Sequence, residues 1–450
     1  MSSRRPFRTG FAGACIVAFA FAGLALNAGA QEHWVATWAA SPQSAHIVFP
    51  GLRRPAAPPP SASAAPGAPA APAQGNPPIF PPPPSFDNQT VRMVVRTSIG
   101  GHRVRVQLSN AFGSSMLRIG AAHIALRGND STIVAGSDRA LMFSGQPSAL
   151  IPEGAEIVSD PVDLDVPPLS DLAISVYVPG HVDDPTDHLT GLHTTYISGP
   201  GDLTAASSID NPKTTQSWYW LSGVDVLAPE KTALIVAFGD SITDGATSTP
   251  DTDASWPSQL ARRLIANKST ANWAVVNEGI SGNRLLNGGM GVAALARFDR
   301  DVLSQPGVKW VIVMLGINDI GLASMPGIEP SDVVSVQDLI AGQKQLIDRA
   351  HLRGIRVIGA TLTPYMGAMY ASEQGEAKRE ALNDWIRTGG AYDAVFDFDK
   401  VVQDPQNPKE ILASFNIRDH LHPNDAGYKA MADSIDLSIF NSKPKATASH

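Results

Sequence analysis

The sequence has 450 residues, 43% of them hydrophobic, which is enough for two domains with hydrophobic cores of their own. Its formal net charge of −8 argues against a nucleic-acid partner and against an anionic membrane surface. The only cysteine, Cys15, lies near the amino terminus, so the rest of the chain offers no thiol for a disulfide or a metal site.

Residues 1–30 have the pattern of a secretory signal peptide. Basic residues precede an apolar stretch over residues 11–26, and the small residues 28–30 form a suitable cleavage site. The pair Arg4-Arg5 also occurs in twin-arginine export signals. Because the apolar stretch is short for a membrane span, we expect an exported protein, periplasmic or extracellular, with no stable membrane span after cleavage.

Residues 31–230 predict an antiparallel β-sandwich domain. Between residues 88 and 226, short alternating strands are separated by Gly, Pro, Asn and Asp, without helical periodicity. Val91, Met93 and Val95 form one alternating set, and Gly100-Gly101 predicts a hairpin turn into the next strand. An Ala/Pro-rich insertion at residues 55–84 interrupts this region. Its composition predicts a disordered spacer more than a proline-motif binding site.

Two features of the β region could bear on function. Its histidines show no ligand spacing, which favours ordinary structural roles over a metal site; they are His102, His123, His188 and His193. The run Trp218-Tyr219-Trp220 could stack on a sugar ring or form a hydrophobic seam between domains. We favour the seam.

From residue 231 to residue 441 strands alternate with helices, which predicts a parallel sheet covered on both faces. The predicted strands are 234–238, 274–277, 310–315, 356–362 and 395–398. Four helices are predicted between these strands and after them. The first starts near Ser255, and the second carries Leu339, Leu346, Ile347 and Ala350 on one face. The third carries Ala377, Ala381 and Trp385, and the fourth begins at Asn424 or Asp425 with Tyr428, Met431 and Ile435 facing inward. Residues 442–450 are expected to be a flexible tail.

Polar segments follow the first three strands and precede the last helix. Ser241, Gly282 and Asn318 lie in the first three segments, and Asp419 and His422 lie in the fourth. Since parallel strands end at one edge of a sheet, these loops can converge there. They would bring together a serine hydroxyl, an imidazole, a carboxylate and several N–H donors, which is what acyl transfer requires.

Each residue type suits one step of that chemistry. His422 can take the proton from Ser241, and Asp419, three residues earlier, can fold back to hold the other ring nitrogen. The amides of Ser241 and Gly282 and the side chain of Asn318 are candidate donors to an oxyanion. Taken singly, Gly282 could be a turn glycine and Asn318 part of a helix cap, so the prediction depends on the set. His420 competes with His422, but it lies too close to Asp419 to be held by that residue.

At these positions the chain resembles the SGNH (GDSL) hydrolase superfamily. The resemblance rests on Gly239-Asp-Ser-Ile242, Gly282, Gly316-x-Asn-Asp319 and Asp419-x-x-His422. It implies an α/β, flavodoxin-like three-layer fold and a serine esterase or acylhydrolase that needs no cofactor. It also implies Ser241 as nucleophile, His422 as base, Asp419 as its partner, and Ser241, Gly282 and Asn318 as the oxyanion hole, with no metal. The β region is similar to the accessory domain of some secreted bacterial members.

The leading hypothesis is an exported esterase acting on a small-molecule or polysaccharide ester, with acyl groups on carbohydrate as the first substrate to consider. A broad arylesterase or lipase is the alternative within the same chemistry. Outside it, the chain could be a carbohydrate-binding surface protein or an O-acyltransferase, in which a sugar replaces water as acceptor.

Overall fold

A computed structural model describes residues 1–2, 32–46 and 84–442. The predicted signal segment, nearly all of the Ala/Pro-rich insertion and the tail after residue 442 lie outside the described residues. No helix in the described part combines the length and the apolarity that crossing a membrane would demand.

The described chain begins with strands and continues, from β17 on, with alternating strands and helices. The strands are β1 (Trp34–Ala39), β2 (Gln43–Ser44), β3 (Phe86–Arg96), β4 (Gly101–Ser109), β5 (Leu117–Ile119), β6 (Ala121–Leu126), β7 (Arg139–Ala140), β8 (Ala149–Ile151), β9 (Glu156–Val158), β10 (Val162–Val166), β11 (Asp171–Val182), β12 (Thr186–His188), β13 (Thr195–Pro200), β14 (Lys213–Thr215), β15 (Trp218–Tyr219), β16 (Leu221–Leu227), β17 (Ala233–Gly239), β18 (Trp273–Gly279), β19 (Val308–Met314), β20 (Arg356–Ala360) and β21 (Ala394–Phe396). The helices are α1 (Ser241–Asp244), α2 (Trp256–Ala266), α3 (Ala294–Phe298), α4 (Ile317–Leu322), α5 (Val336–His351), α6 (Glu373–Thr388), α7 (Phe398–Val402) and α8 (Asp425–Asp433). A π-helical turn, Asp299–Leu303, extends α3, and 3-10 turns lie at Pro330–Asp332, Ala413–Phe415 and Leu437–Asn441.

The amino-terminal region consists of antiparallel sheets, as predicted for a β-sandwich. One main sheet has the order β1-β16-β4-β10 with β9 beside β4, and the other has the order β14-β13-β3-β11-β6-β7. Apolar side chains of both sheets, such as Val91 of β3 and Val106 of β4, are completely buried. Burial of these faces against each other holds the two sheets together.

The hairpin predicted at Gly100-Gly101 is wrong. Strand β3 pairs with β11 and β13, whereas β4 pairs with β16, β10 and β9, so the two strands belong to different sheets. A Cβ at Gly100 would lie 2.3 Å from the carbonyl oxygen of Val166, so the glycine permits a close crossing between the sheets. Tertiary packing here overrides the local turn signal.

The carboxyl-terminal region contains a five-stranded parallel sheet in the order β18-β17-β19-β20-β21. Numbered within this region the order is 2-1-3-4-5, which is the flavodoxin-like arrangement. All residues of the central strand β17 are buried, so both faces of the sheet are covered. All five strand predictions are confirmed, except that Phe398 begins α7 instead of ending a strand.

The helix predictions are confirmed with one exception. Helices α2, α5 and α8 bury the residues predicted to face inward. On α6, however, Ala377 and Ala381 are exposed, and the buried face carries Leu382 and Ile386 together with Arg379. Arg379 can be buried because it pairs with Glu376 and with another carboxylate, Asp399, at 2.7 and 2.6 Å.

The two regions share one continuous hydrophobic core. Strand β1 packs against β18, and the amide of Ala36 donates to the carbonyl of Pro306 at 3.1 Å. Trp218 is buried at this junction, where its ring packs edge-on against Trp38 and its Nε1 donates to the Val94 carbonyl. The seam interpretation is therefore supported, since a buried ring cannot stack on a sugar.

Candidate active site

The sheet register brings three candidate loops to one edge. Gly239, the last residue of β17, is aligned with Gly279 of β18 and with Met314 of β19. The segments that follow these three residues carry Ser241, Gly282 and Asn318, respectively. Because the strands are parallel, all three segments leave the sheet on the same side, at its carboxyl edge.

Ser241 is the first residue of the short helix α1. Asp240 caps this helix, since its carboxylate accepts a hydrogen bond from the amide of Ile242 at 3.1 Å. The amide of Ser241 occupies the first helical position, where the helix itself provides no carbonyl partner. Ser241 is almost completely buried, with 6% of its surface exposed.

The fourth loop brings Asp419 and His422 over this edge. The amides of Leu421 and His422 both donate to Asp419 Oδ1 at 2.9 Å, which curls the loop around the carboxylate. Asn424 then caps α8 by accepting from the amide of Gly427 at 3.0 Å. The loop is joined to the segment after α1 by a hydrogen bond of 2.9 Å from the Thr247 hydroxyl to the Pro423 carbonyl.

A continuous chain of hydrogen bonds links the three side chains. His422 Nδ1 lies 2.6 Å from Asp419 Oδ2, and His422 Nε2 lies 2.9 Å from the Ser241 hydroxyl. The carboxylate can only accept, so Nδ1 carries the proton and the lone pair of Nε2 faces the serine. The imidazole is thereby oriented to receive the proton of Ser241.

The charge of Asp419 is stabilised by the same contacts. Burial alone would raise the pKa of Asp419, but the ring and amide of His422 and the amide of Leu421 outweigh burial and lower the pKa to about 2. By contrast, complete burial raises the pKa of Asp240 to about 7, although the Ile242 amide favours its charged form. Asp419 is therefore the carboxylate that can balance a positive charge on His422.

Gly282 lies in a tight turn after β18 with a φ of +76°, a conformation that L side chains rarely adopt. A Cβ here would lie 2.5 Å from Cγ of Met290, so the position also has no space for a side chain. The hydrogen bonds of the turn are donated by Asn283 to Ile280 and by Ser281 to Asp244. Neither of these two hydrogen bonds uses the N–H of Gly282.

Asn318, on α4, presents its amide group to the same space. Its Nδ2 donates to the carbonyl of Asn283 at 3.0 Å, and its Oδ1 accepts from the hydroxyl of Tyr370 at 3.2 Å. Because the Asn283 carbonyl can only accept a hydrogen bond, the nitrogen of the Asn318 amide must face Asn283 and its oxygen must face Tyr370. One N–H of Asn318 remains for a further acceptor.

Two residues beside the proposed site, Asp319 and Tyr370, make contacts that the sequence did not predict. Asp319 accepts from the amides of Leu285 and Leu286 at 2.7 and 3.1 Å, so it holds the loop after Gly282 and does not merely cap its own helix. Burial raises the pKa of Asp319 to about 6. Tyr370 orients Asn318 across a long sequence separation, and no local pattern could have identified it.

His420 lies away from the hydrogen-bonded chain. Its ring packs against Gly367, and its Nδ1 is 3.9 Å from Oε2 of Glu410. The side chain of His420 is 44% exposed. This is the surface position that the sequence predicted for it.

Four histidines of the β region, those named in the sequence analysis, are more strongly paired than predicted. Each lies against a carboxylate: His102 with Asp165, His123 with Asp138, His188 with Asp244 and His193 with Asp253. Their partners are remote in sequence, which is why spacing did not reveal them. Among the described residues, no group of three or more His, Cys, Asp or Glu side chains could hold a metal ion.

The sequence profile of the GDSL-like lipase/acylhydrolase family matches residues 237–430. Comparison with curated proteins gave no significant match. Among solved structures, a proposed lipolytic protein of the G-D-S-L family from Desulfitobacterium hafniense DCB-2 is similar with 25% identity and a TM-score of 0.34, over 45% of this chain and 97% of that chain.

Two further solved structures are similar to a comparable share of the chain. For the M. smegmatis aryl esterase, identity is 18% and the TM-score 0.35, over 45% of this chain and 96% of that one. For a catalytic mutant of an acetylxylan esterase from Geobacillus stearothermophilus, identity is 21% and the TM-score 0.37, over 46% of this chain and 94% of that chain.

The matched range begins within β17 and ends within α8, so it includes all the loops described above and the other four strands of the parallel sheet. Its strand order and motif residues agree with the family expected from the sequence. Residues 237–430 of this chain therefore belong to the GDSL-like lipase/acylhydrolase family of ester hydrolases.

Proposed function

We propose that the protein is an exported serine esterase that forms an acyl-enzyme on Ser241. The observation that carries the proposal is the hydrogen-bonded chain from Ser241 through His422 to Asp419, with distances of 2.9 and 2.6 Å. These distances lie in the range for proton transfer from a serine to a histidine base. The Ser241 hydroxyl is therefore already placed to give its proton to His422, without a prior rearrangement of side chains.

In the acylation step the Ser241 oxygen attacks the ester carbonyl while its proton passes to Nε2 of His422. Asp419 stabilises the imidazolium, which then protonates the departing alcohol. The carbonyl oxygen becomes negative and accepts from the amides of Ser241 and Gly282 and from Asn318 Nδ2. Losing one such donor costs about 3 kcal/mol of transition-state stabilisation.

In the deacylation step a water molecule takes the place of the alcohol. His422 removes a proton from the water, the hydroxide attacks the acyl carbonyl, and Ser241 leaves with the proton that the imidazolium returns. An alcohol on a sugar could replace water here, which would make the protein an O-acyltransferase. The residues are the same for both outcomes, and only the acceptor differs.

The proposed substrate is a short acyl ester, with acyl groups on carbohydrate as the first choice. A cleft of about 440 Å³ adjoins Met290, the residue packed against Gly282, but neither Ser241 nor His422 lines it, so support for an ester substrate comes from the family match over residues 237–430. Both regions line the cleft, since His46 and Phe112 face the glycine-rich segment 288–293. Aryl or lipid esters are the alternative substrates.

Hydrolysis of nitrophenyl acetate by the wild type and by Ser241→Ala tests the chemistry. We expect a loss of several orders of magnitude in the variant, together with loss of fluorophosphonate labelling on the peptide that contains Ser241. Absence of hydrolysis by both the wild type and the variant would instead favour a binding protein without hydrolase activity, and equal activity of the two would show that Ser241 is not the nucleophile. Acetylated polysaccharides assayed beside aryl esters, with and without a sugar acceptor, then separate the substrate classes and the transferase alternative.

Export is the second part of the proposal and rests on the sequence of residues 1–30. Expression in a bacterial host, followed by fractionation and amino-terminal sequencing, tests it directly. We expect mature protein outside the cytoplasm that starts at Gln31. Full-length protein confined to the cytoplasm would contradict this part alone.

A further inference from the structure

A buried hydrogen-bond network connects the β region to two loops of the proposed active site. We propose that His188, which the β region supplies, is a positioning residue that fixes the nucleophile helix and the oxyanion loop relative to each other through Asp244 and Ser281. The inference rests on the proposed function and assigns the β region a direct part in it.

Asp244 is the residue that joins the two loops. It is the last residue of α1, the helix that begins with Ser241. Its Oδ2 accepts from the amide and the hydroxyl of Ser281, at 2.8 and 2.7 Å, and Ser281 directly precedes Gly282. One carboxylate therefore sets the distance between the proposed nucleophile and one of its oxyanion donors.

His188 holds the other oxygen of this carboxylate. Its Nε2 lies 3.0 Å from Asp244 Oδ1, and its Nδ1 lies 2.9 Å from the carbonyl oxygen of Ser41. Both His188 and Asp244 are almost completely buried, with side-chain exposures of 4% and 3%. The β region adds a second contact, because the hydroxyl of Thr190 donates to the Ser281 hydroxyl at 3.0 Å.

The partners of His188 define its protonation state. A carbonyl and a carboxylate can only accept, so both ring nitrogens must donate and the imidazole is positively charged. Burial opposes this charge, but Asp244, the Ser41 carbonyl and the adjacent Asp187 together raise the pKa of His188 above 6.5. The Trp218 ring packs against the imidazole, with 5.5 Å between the ring centroids.

A role in geometry explains this pair better than a role in stability. Burying two charges costs several kcal/mol each, so a buried pair is seldom more stabilising than apolar side chains of equal volume. An apolar side chain in place of His188 could not hold Asp244 at a fixed position while Asp244 accepts two hydrogen bonds from Ser281. A small displacement of these loops would separate the serine from its donors, and displacements of about 1 Å can cost 10²-fold in rate.

The test compares His188→Gln with His193→Gln. Both histidines are buried and pair with an aspartate, but His193 lies against Asp251 and Asp253, in the segment before α2. We expect His188→Gln to lower kcat on ester substrates by about 10- to 100-fold with little change in KM. His193→Gln should leave kcat within about twofold while lowering the melting temperature to a similar extent.

The pH profile provides a readout that loss of stability alone would not move. In the wild type, kcat should fall at alkaline pH as His188 loses its proton and releases Asp244. This alkaline limb should disappear in His188→Gln. Should His188→Gln not yield folded protein, Ser281→Ala decides, because it removes one hydroxyl contact and should lower kcat by about 3- to 10-fold.

Equal kcat values for the two histidine variants, or for Ser281→Ala and the wild type, would overturn the inference and leave the proposed function intact. A wild type that neither hydrolyses esters nor becomes labelled on Ser241 would overturn both. The two failures are therefore distinguishable in one set of assays.

Discussion

The hydroxyl of Tyr370 donates a hydrogen bond to Oδ1 of Asn318 at 3.2 Å, and both side chains are buried. This contact, together with the bond from Asn318 Nδ2 to the Asn283 carbonyl, holds the amide of Asn318 in one orientation. An oxyanion donor acts best when it is oriented before the reaction. We therefore expect Tyr370 to be a positioning residue for the proposed donor Asn318, without a contact to the reacting atoms.

We expect Tyr370→Phe to lower kcat by about 3- to 10-fold, the equivalent of one neutral hydrogen bond, with KM nearly unchanged. The split between kcat and KM from steady-state kinetics is the measurement. Tyr365→Phe is the matched control, because its ring lies 6.0 Å from that of Tyr370 and its hydroxyl points toward Gly375. Equal effects in both variants would show that Tyr370 acts through packing alone.

The two neighbouring histidines of the fourth loop should differ sharply. His422→Ala removes the proposed base and should lower turnover by several orders of magnitude. His420→Ala should keep most of the activity, because this side chain is 44% exposed and packs against Gly367. Rates of nitrophenyl acetate hydrolysis for the two purified variants decide the matter. Similar losses would mean that the base has been assigned to the wrong histidine.

The acid limb of the pH profile should not report Asp419. The pKa of Asp419 is lowered from 3.8 to about 2, so this carboxylate is ionised wherever the enzyme is active. The same depressed pKa gives a stabilising contribution that is present above pH 3.8 and is lost as the pH falls toward 2. We expect kcat/KM to fit a single ionisation on the acid side. A second ionisation near pH 4 would contradict this.

Asp419→Asn complements that measurement. The asparagine can accept the proton of His422 Nδ1 through its oxygen, but it carries no charge to stabilise the imidazolium. We expect kcat to fall by about 10²- to 10⁴-fold while the melting temperature changes little. Loss of activity that tracks loss of folded protein by circular dichroism would argue against this explanation.

The candidate site could be predicted from the sequence because its residues follow directly on strand ends. Ser241, Gly282 and Asn318 lie a few residues beyond buried strands, and a parallel sheet brings such positions to one edge. The turn at Asp419 is local, so the contact between Asp419 and His422 also follows from the spacing. Placing each loop after a strand required no knowledge of distant contacts, whereas the flavodoxin-like arrangement was implied only by the family resemblance.

The features that the sequence did not reveal depend on polar groups that become buried. Arg92 lies between the apolar residues Val91 and Met93 of β3, yet it is fully buried and donates to Ser175 and to the carbonyl of Ser131. The face of α6 was misassigned for the same reason, since Arg379 lies inside. A pattern of apolar residues cannot show which charges will find partners from other parts of the chain. The pair of His188 and Asp244 belongs to this class.

The junction between the β region and the segment before α2 should make stability depend on pH. Burial alone would lower the pKa of His193, but the carboxylates of Asp251 and Asp253 raise it from 6.5 to about 9. Because the folded-state pKa lies above the unfolded value, the stabilisation is complete below pH 6.5 and is lost as the pH rises through about 9. The melting temperature of the wild type should therefore fall by several degrees between pH 6.5 and about pH 9.

His193→Gln should remove that dependence, because a neutral amide keeps one hydrogen bond to Asp253 but has no proton to lose. Melting curves of wild type and variant at pH 6, 7.5 and 9 provide the test, with ester hydrolysis measured in parallel to show that the site is intact. The two proteins should differ most at pH 6 and converge near pH 9. A constant difference at all three values would mean that packing of the ring, and not its charge, stabilises the junction.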